Sequence, residues 1–192
     1  MDRLAPLVLL TLPFLAACGS DSADTAADRA AAVEHAIEAP TPPRAVEAPN
    51  FMVLDDHVAG AGQPALEEIP TLPEKGYSTI VNLRTPGEPY VDEERRLAEE
   101  AGLDYVHIPI LPQTMSLADA QELADAIAEA EGNVLVHCAS GHRVGALWAL
   151  EQGLTQGLTP EQAKELAWRS SKTMKEPTAE RVAELLREAG PR

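Results

Sequence analysis

Cys138 and Arg143 are the two residues whose types and spacing are best suited to covalent chemistry. They bracket Ala139-Ser140-Gly141-His142, and the run that leads into them, Asn133-Val134-Leu135-Val136-His137, is rich in apolar β-formers. After Arg143 comes an apolar helical stretch, Val144-Gly145-Ala146-Leu147-Trp148-Ala149-Leu150. Strand, tight loop and helix in that order aim the loop's backbone N–H groups and the helix N-terminus at one point, which makes an anion site. A thiol at the first position of such a loop sits in a positive field that favours thiolate over thiol. The Arg143 guanidinium presents a fork that grips two oxygens of a phosphate-like group. The reading is a nucleophilic Cys138 beneath an oxyanion held by Ala139, Ser140, Gly141, His142 and Arg143. The plainer alternative is a buried cysteine ending a strand and an arginine starting a helix.

The elements that must position this loop are legible upstream. Phe51–Leu54 reads as a strand, Asp55-Asp56 as a turn and 57–61 as its hairpin partner. Pro64 suits a first helical turn, and 65–74 follows as a helix that Pro70 and Pro73 must interrupt. Ser78–Leu83 is a strand, 91–101 a charged amphipathic helix stopped by Gly102, and 104–110 the next strand. Ser116-Leu117-Ala118-Asp119 has the form of a capping box and opens a helix to Glu131, before the strand 134–137. Three helices follow, over 144–156, 160–170 and 178–189, the second with Thr159 as its cap. Alternating strands and helices imply an α/β fold with a mainly parallel central sheet flanked by helices, and a C-terminal helical group.

In such a sheet ligands bind at the carboxyl ends of the strands. Three loops leave those ends. One carries Arg84, Glu88 and Tyr90, another Gln113 and Thr114, and the third is 138–143. Arg84, Glu88 and Gln113 are therefore supporting candidates, and His137 is placed to position the loop or favour the thiolate. His142 adds charge or shuttles a proton. His107, Trp148 and Trp168 are most simply core. A metal held by His137, Cys138 and His142 is disfavoured, because adjacent side chains leave a strand in opposite directions.

With 31 acidic against 15 basic residues and a formal charge of −16, the chain repels nucleic acid and anionic membrane, so neither surface is expected as a partner. Any affinity for an oxyanion must be local to the loop. The only other cysteine, Cys18, follows the apolar run 4–17, which has the length of a secretory leader rather than of a membrane span. Residues 19–49 are rich in Ala, Asp and Pro and poor in large apolar side chains, as in a disordered tether.

Two resemblances attach to these residues. Leu15-Ala16-Ala17-Cys18-Gly19 resembles the bacterial lipoprotein signal, which implies a leader over 1–17, a lipid on Cys18, a tether over 18–49 and a domain over 50–192. The domain would then sit in the bacterial cell envelope, facing the periplasm or the exterior. His137-Cys138-Ala139-Ser140-Gly141-His142-Arg143 resembles the phosphate-binding loop of the cysteine-dependent protein tyrosine phosphatase superfamily. Gly62-Gln63-Pro64 and Asn82-Leu83-Arg84 are similar to a bacterial branch of it, the phosphatase-like domain of the beta-lactamase-hydrolase-like proteins, and Asn-Leu-Arg also to atypical dual-specificity phosphatases. The resemblance covers about residues 50–160. It implies that Cys138 attacks phosphorus, that Arg143 and the loop N–H groups hold the equatorial oxygens, that water releases phosphate, and that no cofactor takes part.

Three departures from the superfamily pattern bear on that implication. Four residues rather than the usual five separate Cys138 from Arg143. Val144 stands where a Ser or Thr commonly helps the thiolate leave. The loop that usually carries the general acid, here 111–115, has no carboxylate; Asp119 lies farther into its helix, and Glu88 or Asp92 would have to substitute. The short loop also resembles that of single-domain rhodaneses, which implies a rival sulfurtransferase working through a Cys138 persulfide. A third reading is a catalytically silent module that binds an oxyanion or a partner. On the lipoprotein resemblance, Cys18→Ser should move the protein from the membrane fraction to the soluble fraction on cell fractionation, and a variant that stays with the membrane would overturn it.

Overall fold

The computed structural model describes residues 41–190, so the leader, Cys18 and most of the tether lie outside the described residues. Within them, five strands form one sheet: β1 (Met52–Val53), β2 (Val58–Ala61), β3 (Tyr77–Asn82), β4 (Asp104–His107) and β5 (Asn133–His137). Their order is β1-β2-β5-β3-β4. β1 pairs antiparallel with β2 as the hairpin reading required, and every other pairing is parallel. The helices are α1 (Val91–Glu100), α2 (Leu117–Glu129), α3 (His142–Thr155), α4 (Pro160–Arg169) and α5 (Glu176–Ala189).

Two apolar layers cover the sheet. On one face Val58, Val81, Val134 and Val136 meet α2 and α3, with α5 packed beyond. On the other, Ala59, Ile80 and Leu135 meet Ala98 of α1, together with Ile69 and Leu72. α3 is buried on nearly all sides, from Val144 to Leu154, as expected of a helix that is apolar all round. α2 opens on the expected capping box, in which Asp119 Oδ2 accepts the Ser116 N–H at 2.8 Å. Thr159 and Gln162 cap α4 in the same manner.

Several expectations shift. Residues 65–74 do not form one helix: Pro70 and Pro73 divide the segment into two 3₁₀ turns, Leu66–Thr71 and Pro73–Lys75. β4 ends at His107, where Pro109 can no longer donate to a ladder. Trp148 is core, but Trp168 lies on the outer side of α4 and is 44% exposed.

The expected edge of the domain at residue 50 also moves. Residues 41–49 are laid along the packed unit instead of hanging free. Pro43 and Val46 are buried, and Val46 joins the α1-side core. The Tyr77 hydroxyl donates to the Arg44 carbonyl at 2.7 Å, and Asn133 Nδ2 donates to the Thr41 carbonyl at 3.0 Å. This strap therefore runs from the start of β5 toward the functional loop. Composition hides it because one Val and one Pro are enough to anchor nine residues when tyrosine and asparagine side chains on the sheet satisfy the backbone. Val46→Ala should cost about 1–3 kcal/mol of unfolding free energy in a denaturant titration; no change would mean that the strap does not contribute to the fold.

Candidate active site

The parallel register brings four strand ends into one row. His137 pairs with Ala61 on one side and Asn82 on the other, and Asn82 pairs with His107. Polar side chains of this row turn toward α1, where Glu94 has no exposed surface. Glu94 Oε1 accepts from Asn82 Nδ2 at 2.8 Å, the Tyr105 hydroxyl at 3.0 Å and His137 Nε2 at 2.8 Å. Gln63 Nε2 donates to Oε2. Burial works against the carboxylate charge, yet these bonds prevail and hold Glu94 below its ordinary range. The hydrogen on His137 is thereby assigned to Nε2, and Nδ1 is the single buried side-chain polar atom without a partner among the described residues.

The loop after β5 is fixed from three sides. Cys138 is buried at the strand end, on the α3 face, and the Gly141 N–H points at its sulfur at 3.2 Å. Gly141 has φ 83°, a left-handed turn that feeds the chain straight into α3. The Asn50 side chain, at the end of the strap, donates to the Ser140 carbonyl at 3.1 Å, and Thr173 Oγ1 donates to the same oxygen at 3.0 Å. Gly62 passes between strap and loop so closely that a Cβ there would lie 3.0 Å from both the Ala139 and Pro49 carbonyl oxygens. This is what the first residue of Gly62-Gln63-Pro64 contributes.

Arg143 is held by its far end. Its Nη1 and Nη2 bind the two oxygens of Glu88 at 2.7 and 2.9 Å, and Nη1 also reaches the Leu83 and Ile110 carbonyls at 3.1 and 3.3 Å. Glu88 is braced in turn by the Thr85 N–H at 2.8 Å and by Arg84 Nε at 3.4 Å. Arg84, one of the supporting candidates, braces the site from behind and does not line the cleft. It is buried behind the loop, donating to the Pro89 carbonyl at 2.5 Å and to Gln63 Oε1, while Asn82 Oδ1 accepts its backbone N–H at 2.8 Å. A guanidinium has five N–H donors. Glu88 and the carbonyls take those of the Nη end, which leaves the Nε–H and the second Nη2–H as two parallel donors along one edge. Partial burial disfavours the Arg143 charge, but Glu88 and the adjacent Cys138 sulfur outweigh it and hold the guanidinium protonated.

An open cleft of about 820 Å³ lies over this arrangement, lined among others by Thr85, Gln113, Ser140, Arg143, Lys175 and Thr178. Glu88, Gln113 and His142 reach it as expected, whereas Tyr90 lines a separate depression beside Gln63 and Thr114 lines neither. His142 is not a free proton shuttle: its ring nitrogens bind the Thr173 carbonyl and the Thr178 hydroxyl, each at 2.8 Å. His107 is half-buried rather than core and holds the Arg84 carbonyl at 2.7 Å. Neither candidate acid fits. Arg143 pulls the Glu88 carboxyl down to about 2, so it carries no proton near neutrality, and Asp92 is exposed on α1 outside the cleft.

Sequence reasoning missed Glu94, Asn50 and the contributions of Thr173, Lys175 and Thr178. Glu94 had a signal, since it lies in phase with Val91 and Ala98 on the buried stripe of α1. Glu94→Ala leaves four donors without their acceptor and should cost about 3–5 kcal/mol in a denaturant titration. Glu94→Gln keeps one acceptor oxygen and should cost less. A loss below about 1 kcal/mol for the alanine variant would show that the network does not hold the strand ends together.

Comparisons with known proteins agree with this geometry. Residues 50–155, more than half of the chain, match the family described as beta-lactamase hydrolase-like protein, phosphatase-like domain. A beta-lactamase hydrolase-like protein of Xylella fastidiosa is 40% identical over 103 residues, and one of Agrobacterium fabrum is 35% identical over 105. The matches cover 52% and 53% of this chain but only 24% of either relative. Among solved structures, TpbA of P. aeruginosa shares the fold with a TM-score of 0.59 at 18% identity, over 80% of this chain and 98% of that one. The strand row, the Cys138–Arg143 loop and the match over 50–155 lead to one assignment: the chain belongs to the family of phosphatase-like domains of beta-lactamase hydrolase-like proteins.

Proposed function

We propose that the protein is a cysteine-dependent phosphatase that works through a phosphocysteine on Cys138. The observation that carries this reading is the Arg143 guanidinium, clamped by Glu88 so that one edge with two parallel donors is left beside the Cys138 sulfur. Such an edge matches two oxygens of a tetrahedral oxyanion. The Gly141 N–H steadies the sulfur, and on this reading the amides of Ala139, Ser140 and His142 complete the cup, as the resemblance to phosphatase loops implies. In the first step an S–P bond forms as the P–O bond to the leaving group breaks, and the leaving group departs with the electron pair. In the second, water attacks phosphorus, the S–P bond breaks, and thiolate and phosphate are released. The resemblance of Leu15-Ala16-Ala17-Cys18-Gly19 to a lipoprotein signal supports a lipid-tethered position for this domain at the cell envelope.

The cleft shapes both steps. Among the described residues no carboxylic acid lines it with a proton to give, so on this reading a leaving group departs as an anion; a positioned general acid is typically worth about 10²–10⁴-fold in rate. Val144 is buried core and offers no hydroxyl to the departing thiolate, which slows the second step. The four-residue loop, tighter than the usual phosphatase cup, supports a second reading as a sulfurtransferase through a Cys138 persulfide.

One pair of assays separates these. The purified protein should hydrolyse aryl phosphates with a steep dependence on leaving-group acidity and a burst of phenolate, should act poorly on alkyl phosphates, and should lose activity in Cys138→Ser. Transfer of sulfur from thiosulfate to cyanide without aryl phosphate hydrolysis would replace this reading with the sulfurtransferase. Absence of both activities would leave the silent binding module.

A further inference from the structure

The connection between α4 and α5 carries an unusual charge for this chain. Lys172 and Lys175 are exposed there, with Arg169 at the end of α4, and among the described residues none of the three makes an ion pair. The formal charge of the whole chain is −16. This connection is built into the site. Thr173 donates to the Ser140 carbonyl, its own carbonyl binds His142, and Thr178 closes on the other nitrogen of the same ring. Met174 is buried between these anchors. Lys175 is held on the rim of the cleft that Arg143 lines.

The ionisable side chains lining that cleft are Glu88, His142, Arg143 and Lys175. Glu88 and Arg143 neutralise each other, and both ring nitrogens of His142 are engaged. Among the described residues, Lys175 is the one formal charge in the lining without a counter-charge. The cleft thus lacks an acid to protonate a departing oxygen but keeps a cation for one that departs charged. We propose that Lys175 is a specificity-determining residue that receives an anionic leaving group, so that the site is built for phosphoanhydrides, in which the group leaving phosphorus is itself a phosphate. Cys138 thiolate forms the S–P bond, the bridging oxygen keeps the electron pair of the breaking P–O bond, and no proton is needed. The charge on the departing phosphate grows toward the transition state, where an ammonium on the cleft rim stabilises it most. Water then cleaves the S–P bond and returns the thiolate. The chemistry rests on the phosphatase reading above, but the binding of an extended polyphosphate does not.

The test uses the full chain with chelator present and two probes, tripolyphosphate and para-nitrophenyl phosphate. Lys175→Ala should lower kcat/KM for tripolyphosphate about tenfold, the equivalent of one charge-assisted contact, and leave the aryl phosphate within about twofold, because its leaving group is uncharged before cleavage and spreads the phenolate charge into the nitro group. Lys175→Arg should restore most of the loss. Equal losses on both probes, no loss on either, or a wild-type enzyme that cleaves only the aryl ester would overturn the proposal. Calorimetry on the Cys138→Ser chain supplies an arm that needs no turnover. It should bind tripolyphosphate more tightly than orthophosphate, and Lys175→Ala should erase that preference. If the wild type cleaves neither probe, the phosphatase reading falls, and this arm alone decides the subsite: a Lys175-dependent preference upholds it, and equal binding overturns it.

Discussion

A carboxylate with no exposed surface sits where three of the sheet's strand ends meet, and the rest of the site depends on its being satisfied. Glu94 is costly to bury charged, by several kcal/mol if left alone. Four donors from four different elements offset that cost: Gln63 after β2, Asn82 at the end of β3, Tyr105 in β4 and His137 at the end of β5. A network of this kind tolerates little displacement, because each bond lost leaves a buried donor or acceptor unpaired. It therefore fixes the relative heights of the strands at the edge from which the functional loop departs. His137 is oriented by Glu94, and Cys138 is the next residue along the chain.

From that anchor two further clamps follow. Asn82 receives the Arg84 N–H and Gln63 receives its guanidinium, so Arg84 is drawn inward and braces Glu88. Glu88 then takes the far end of Arg143. The alternation of charge from Glu94 through Arg84 and Glu88 to Arg143 leaves the buried cluster close to neutral. An anion is then attracted only at the exposed guanidinium edge and the loop amides. This reconciles the proposed oxyanion site with a strongly acidic chain: on that reading affinity is a short-range property of the loop, and the bulk surface, screened beyond about 10 Å at ordinary salt, contributes little.

The parts of the site legible in the sequence were those set by local rules. Strand, tight loop and helix around Cys138, the β1–β2 hairpin, the caps at Ser116 and Thr159 and the parallel order all follow from periodicity and turn chemistry over a few residues. What escaped was set by tertiary approach. Gly62-Gln63-Pro64 and Asn82-Leu83-Arg84 could be recognised as motifs, but nothing local shows that Gln63 and Asn82 meet on one glutamate. Arg84 was a candidate for the pocket because its loop leaves the correct sheet edge; the side chain turns the other way, toward Gln63 and the Pro89 carbonyl. The strap 41–49 reads as tether because its sequence is tether-like, and it packs only because Tyr77 and Asn133 are there to receive it. Thr173, Lys175 and Thr178 join the cleft through the fold of α3 against α5, some 30 residues after the loop they support.

The departures from the superfamily pattern acquire a common sense once the clamps are seen. The carboxylate that stands nearest the loop is spent on Arg143, which holds it ionised and removes it as an acid. The position after Arg143 is spent on packing, since Val144 is buried and a Cβ on Gly60 would come within 2.8 Å of its methyl group. Both choices favour a stiff, preorganised loop over proton delivery at the leaving oxygen and over help to the departing thiolate. On the proposed phosphatase reading, a loop of that kind suits a reaction in which the leaving group needs no proton, and charge placed on the cleft rim, as at Lys175, is then the means left to discriminate among substrates.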